Sequence, residues 1–203
     1  MTRTVSGLFD RYEDAQTAVN KLQSVDIDRA QISLVANNTE DWYQDGAPPA
    51  ADSNAGEDAA GGAGIGAVIG GAAGALAGLG VLAIPSVGPV VAAGWLASTA
   101  AGVAAGAVAG GAAGGIVGSL TSEGVPENEA NFYAEGVRRG GTLVSARVPD
   151  DRVPEAQAIL DENRRVDYEA RERDYRAGGW ERFDENAPAY TAGELVRERG
   201  RYL

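Results

Sequence analysis

Cysteine and histidine are both absent from the 203 residues. Without cysteine there are no disulfides, no iron–sulfur clusters and no thiolate metal sites. Without histidine the usual metal ligand and the usual general base at neutral pH are missing, and no serine has an imidazole to activate it. A basic balance is lacking too. Lys and Arg number 17 against 29 Asp and Glu, a formal net charge of −12. Nucleic-acid phosphates need a basic face, so nucleic acid is not an expected partner. Recruitment to anionic lipid by a polybasic patch is disfavoured for the same reason. The opening Met1-Thr2-Arg3 leads into a strand-like run and not into a hydrophobic signal core. The expected location is therefore the cytoplasm, or the cytoplasmic side of the inner membrane.

Charge is also missing locally. Residues 1–58 hold four basic and eleven acidic side chains, and residues 123–203 hold thirteen and eighteen. Residues 59–122 hold none of either sign. Large apolar side chains are scarce as well: much of the hydrophobic fraction is alanine, and glycine stands at 29. Alanine and glycine bury little area, so a compact core must come from the few Val, Ile, Leu, Phe and Tyr positions.

Within the uncharged stretch, Gly62, Gly66, Gly70, Gly74 and Gly78 fall four apart, and so do Gly102, Gly106, Gly110, Gly114 and Gly118. Gly94 and Ser98 extend the second series backward. Four residues advance 400° around an α-helix, so each series forms a slowly winding ridge without side chains. A partner backbone can then approach closely and be held by dispersion and Cα–H···O contacts. Each glycine costs a free helix roughly 0.8–1 kcal/mol relative to alanine, so such helices need packing or a membrane around them.

Between the series lies Ile84-Pro85-Ser86-Val87-Gly88-Pro89, where Pro85, Gly88 and Pro89 predict a turn. The expected unit is an antiparallel helical hairpin over 59–122. Residues 61–84 would give about 36 Å of helix, enough to cross a bilayer, with Trp95 near the tip as an interfacial anchor. A lipid bilayer is one candidate partner. A second copy, packed hairpin to hairpin, is another, and folding back on the parent domain is the plain alternative.

The flanks read as two halves of one domain. Residues 4–9 and 31–36 predict strands around a helix with Ala15, Ala18, Val19 and Leu22 on one face, opened by a capping-box-like Asp10 and Glu13. Residues 37–58, with Pro48-Pro49, read as a flexible linker. Beyond the hairpin, Pro126 opens a helix that Gly140-Gly141 ends, residues 142–148 predict a strand, and Asp150-Asp151 with Pro154 open another helix. Residues 165–168 predict a short closing strand. The expected fold is α+β: residues 1–36 and 123–169 form a ferredoxin-like βαβ–βαβ sandwich, split by the helical hairpin and followed by a polar tail over 170–203. In that tail Trp180, Phe183 and Tyr190 are the candidate docking residues, on the parent domain or on a protein partner.

No catalytic constellation emerges. Gly64-Ile65-Gly66 and Gly78-Leu79-Gly80 superficially suggest a dinucleotide loop, but neither follows a predicted strand and the four-residue repeat accounts for both. The acidic pairs Asp150-Asp151, Asp161-Glu162 and Asp184-Glu185 read as solvated or capping groups, without the spacing of a calcium loop. No catalytic, cofactor-binding or metal-binding residue is expected.

Taken in order, Val5-Ser6-Gly7-Leu8-Phe9-Asp10, Glu13-Asp14-Ala15, the glycine repeat, Ala83-Ile84-Pro85-Ser86-Val87-Gly88-Pro89 and Gly124-Val125-Pro126-Glu127 resemble the bacterial general stress proteins, the heat-induced stress protein domain. The same holds for the segment from Ala134-Glu135-Gly136 to Gly140-Gly141, Leu143-Val144 and Ala156-Gln157-Ala158-Ile159-Leu160. Gly179-Trp180-Glu181-Arg182-Phe183 and Ala187-Pro188-Ala189-Tyr190-Thr191 are similar to extensions of some long members. The resemblance implies a stress-induced, non-enzymatic bacterial protein, and it carries over no site residue.

Overall fold

A computed structural model describes residues 2–43, 80–84, 86–97 and 115–203. The chain folds as an α+β unit on one five-stranded sheet. Its strands are β1 (Thr2–Phe9), β2 (Ile32–Asn37), β3 (Gly80–Ile84), β4 (Gly88–Ala93) and β5 (Thr142–Pro149). They lie in the order β1-β5-β2-β4-β3, and every neighbouring pair is antiparallel. Because β5 runs against both β1 and β2, those two are parallel to each other.

The sheet is buried on both faces, and alternation assigns the residues. Val5, Phe9, Leu34, Ala36, Val144 and Ala146 face one side. There they meet Ala15, Ala18, Val19 and Leu22 of α1 (Tyr12–Ser24) together with Ala156, Ile159 and Leu160. Leu8, Val35, Val90, Ala92 and Leu143 face the other. That side is covered by α2 (Ile116–Ser122), α3 (Glu127–Arg138) and residues from the C-terminal segment. Ile159 and Leu160 belong to α4 (Val153–Glu162).

The C-terminal end of α3 is set by backbone conformation. After α3, Gly140 takes φ 97°, its N–H bonds Val137 O at 3.0 Å, and Gly141 N–H bonds Gly136 O at 2.9 Å. Gly136 lets α3 settle on β1, since a Cβ there would stand 2.4 Å from Leu8 Cδ2. The capping groups expected from sequence do not cap. The N-cap of α1 is Arg11 and that of α4 is Arg152, neither with a side-chain bond. Asp10 is drawn instead into an ion pair with Arg171, and Asp150 lies 3.2 Å from Arg3.

The largest correction concerns the uncharged stretch. Residues 80–84 and 88–93 are strands of the main sheet and not ends of two helices, and the turn between them closes a β-hairpin. The β-branched Val90 and Val91 are fully buried, one on each face, which a sheet position rewards and a glycine ridge does not. Gly88 opens β4 at φ 92°, Pro89 lies within β4 and its carbonyl accepts the Asn38 N–H, and Pro85 lies outside the described residues. Trp95 is no interfacial anchor: it is buried, with the Arg147 guanidinium 4.1 Å from its ring. Gly94 follows β4 at φ 83°, so it does not continue a helical series. Gly62, Gly66, Gly70, Gly74, Gly78, Gly102, Gly106, Gly110 and Gly114 lie outside the described residues. Gly118 is helical, in α2, beside the buried Ile116, Ser119 and Leu120.

Two smaller expectations also change, and the tail takes its helical form. Residues 37–43 are ordered, with Asn37 and Asn38 buried. Residues 165–168 form no strand; the Val166 N–H makes a single 2.8 Å bond to Leu8 O at the outer edge of β1. The polar tail carries two helices, α5 (Tyr168–Ala177) and α6 (Ala192–Arg199).

Candidate functional site

Charged and aromatic groups converge most densely where the C-terminal arm crosses α3. An i, i+4 step puts Glu135 and the C-cap Arg139 on one side of that helix, and Arg138, three residues after Glu135, also reaches it. Glu135 is only 1% exposed. It accepts from Arg139 Nε at 2.6 Å and from Arg138 at 3.3 Å. Arg139 also reaches across to α6, donating to Glu198 at 2.5 Å, and its guanidinium lies 4.3 Å from the centre of the Tyr175 ring. Arg138 donates to the backbone of Ser86 and of Pro188, and it covers the Tyr190 ring at 4.7 Å.

Burial alone would lower the Arg139 pKa. The Glu135 charge and the hydrogen bonds from Glu198 and Glu135 outweigh it, so the net shift is upward and the cation is secured. Two buried carboxylates and two guanidinium groups thus balance each other. A buried charge is tolerated when it is paired and hydrogen-bonded in this way, and it is costly when its partner is removed.

A second grip adjoins it through Tyr175, which Arg139 also faces. Arg171 of α5 takes both oxygens of Asp10 at 2.9 and 2.8 Å, and its face lies 3.4 Å from the Tyr202 ring centre. Arg199 pairs with Glu40. Between these grips, Tyr175, Trp180 and Phe183 join Phe132 in the core. Gly179 at φ 89° turns the chain so that the Trp180 N–H bonds Tyr175 O at 3.0 Å, which sets the indole beside Tyr175.

Two spaces adjoin this seam. A void of about 10 Å³, lined in part by Leu8, Gly136, Arg171, Tyr175 and Tyr202, is the size of one water molecule. An open cleft of about 550 Å³ runs past Arg138, Arg139, Trp180, Arg182 and Asp184. Its guanidinium groups are matched by carboxylates, and those of Arg138 and Arg139 are already engaged. The arrangement is suited to holding the arm on the body. Among the described residues, no group of three or more Asp or Glu side chains is placed to hold a metal ion.

Of the residues singled out from sequence, Trp180 and Phe183 are buried together in this region, and the Phe183 N–H bonds Asn131 Oδ1 at 3.2 Å. Tyr190 is half-buried under Arg138. Glu135, Arg139, Arg171 and Glu198 were not singled out, because a lone charge reads as solvated, and Asp10 was expected only to cap α1. The available signal was the Glu135 to Arg139 step, with Glu135 standing in the otherwise uncharged stretch 130–137 of α3. Comparison with models of known protein families, with characterised proteins and with solved structures finds no match.

Proposed function

We propose that this is a non-enzymatic stress-response protein of the bacterial general stress type, which self-associates through its two uncharged glycine-repeat segments. The observation that carries the reading is the pairing of Gly80 with Ala92 at one end of the β3–β4 ladder. Gly80, where the chain enters β3, and Ala93, where it leaves β4, therefore lie at the same end of one hairpin. Two segments with the same four-residue glycine spacing that border that hairpin in sequence meet the first requirement of close backbone packing. The strand order β1-β5-β2, with α1 and α4 together on one face, supports a ferredoxin-like body whose fourth strand is reduced to the Val166–Leu8 bond.

No helix among the described residues is long and apolar enough to cross a membrane. Self-association is the primary reading on the spacing of the repeat, and lipid is the alternative destination for the same segments, which lie largely outside the described residues. Light scattering on detergent-free protein tests it. Large discrete particles are expected, reduced to monomers by Gly70→Leu with Gly110→Leu. A wild-type chain that stays monomeric, free and with vesicles, defeats the proposal. Retention in carbonate-washed membranes assigns the segments to lipid.

A further inference from the structure

Rings capped by guanidinium recur in this molecule: Arg139 on Tyr175, Arg138 on Tyr190, Arg147 on Trp95, Arg171 on Tyr202 and Arg176 on Trp180. Trp42 is the exposed aromatic that departs from this habit. It is 41% exposed, and no cation covers its ring among the described residues. It is also held rigidly. Its indole N–H donates to Asn37 O at 2.7 Å, and the Asn37 side chain is anchored to Val137 O at 3.1 Å. Asn38 clamps the loop from both sides, donating to Tyr43 O and accepting from the Tyr43 N–H, each at 3.0 Å. Asp41 adopts φ 53° to close it. Tyr12 packs on the Trp42 ring at 4.6 Å, and Tyr43 meets its edge at 6.0 Å.

Such a platform has its ordering cost met before any guest arrives. Along the chain beside the two rings acids outnumber bases, with Glu13, Asp14 and Asp41 against Arg11. Glu13 is exposed beside Tyr12, and Asp41 precedes Trp42. The Tyr12 hydroxyl has its pKa raised, first by burial and then by Tyr43 and Glu13. An aromatic face beside a carboxylate selects a planar cation, and guanidinium fits it better than ammonium because it stacks.

We propose that Trp42, Tyr12 and Glu13 form a receptor for an arginine side chain presented by a basic partner protein. The occupant is an arginine of a different, basic chain, opposite in sign to the net charge of −12 carried here.

The test is titration of the full chain with an eight-residue alternating Gly-Arg peptide, followed through the Trp42 indole signal in ¹⁵N–¹H spectra and, for all variants, by calorimetry. Saturable binding is expected, weakened about tenfold by Trp42→Ala and a few-fold by Glu13→Gln. A Gly-Lys peptide of equal length should bind more weakly. Trp42→Phe keeps a ring face and should stay close to wild type. Equal binding by Trp42→Ala, or a Trp42→Phe loss as large as that of Trp42→Ala, overturns the proposal. So does an indole signal that shifts with protein concentration in the absence of peptide, since a second copy would then supply the cation.

Discussion

Arg171 and Asp10, separated by 161 residues, are joined by two parallel hydrogen bonds of 2.9 and 2.8 Å. The Arg171 side chain is 10% exposed and that of Asp10 27%. This bidentate pair fixes the start of the C-terminal arm against the end of β1. Next to it, Arg139 and Glu198 fix the arm's last helix. The arm is thus bolted at two points to elements distant in sequence, with Tyr175, Trp180 and Phe183 packed between them.

Replacing Arg171 by Leu leaves Asp10 partly buried without its cation and removes the cover of Tyr202. Losing one partner of a charge-assisted pair of this kind costs about 2–4 kcal/mol. The loss should be local first, because α5 and α6 contact the body mainly through this seam. Hydrogen exchange checks it: amides of α5 and α6 should lose protection while those of β1, β2 and β5 keep theirs. Uniform loss across the sheet would show that the arm and the body unfold as one unit. Asp10→Asn in the Arg171→Leu background should recover part of the loss, since it removes the stranded charge.

Gly94 is the tightest crossing in the described chain. A Cβ there would stand 2.2 Å from Ile32 O and 2.7 Å from Ser33 Oγ, and its φ of 83° already excludes most side chains. Backbone cannot yield as a side chain can. Gly94→Ala should therefore cost at least about 3 kcal/mol, combining left-handed strain with overpacking. At Gly136 the obstacle is the end of the Leu8 side chain. Gly136→Ala should be destabilising alone and less so in a Leu8→Ala background, a coupling that the double-mutant cycle reads directly. Urea unfolding of the variants decides both. An unchanged midpoint for Gly94→Ala would rule out the close crossing over β2.

These two glycines show which parts of the fold were legible. The short run of β1, stopped at the Asp10 turn, and the 3.6-residue stripe Ala15, Ala18, Val19 and Leu22 carry their own signal, the stripe because it buries one face of α1 against the sheet. The segment 80–93 does not. Gly78 on one side and Gly94 on the other keep the four-residue step, so helix is the natural reading across the gap. The opposing evidence was there in Val81, Val87, Val90 and Val91 around a turn, and β-branched residues flanking Gly-Pro signal a hairpin. Glu135 was legible only in part. Its partners Arg138 and Arg139 stand three and four residues on, but the Glu198 that takes the other side of Arg139 comes from 59 residues beyond it, and no local pattern encodes a group that distant.

The phenols offer a pH readout of the same packing. The chain has seven tyrosines. Tyr12, Tyr133, Tyr168, Tyr175 and Tyr202 all have pKa values raised above the ordinary one, burial being the largest cause in each. An unfolded phenol ionises near pH 10. Above that pH the unfolded chain releases protons that the folded chain still holds, so stability falls as pH rises from about 10 toward the raised folded values. Below it these groups contribute no pH dependence. Spectrophotometric titration should show some tyrosines ionising reversibly and the rest appearing together with alkaline unfolding. Tyr133 tests the assignment, because it is buried and donates to Ser6 O at 3.2 Å. Tyr133→Phe removes that bond and should cost about 1 kcal/mol at neutral pH. It also removes a strongly shifted phenol, so its stability should decline less steeply above pH 10 than that of the wild type. If all seven phenols instead ionise reversibly around pH 10 with the fold intact, the interior around α3 and the arm is open to solvent, and the close packing of the arm on the body is wrong.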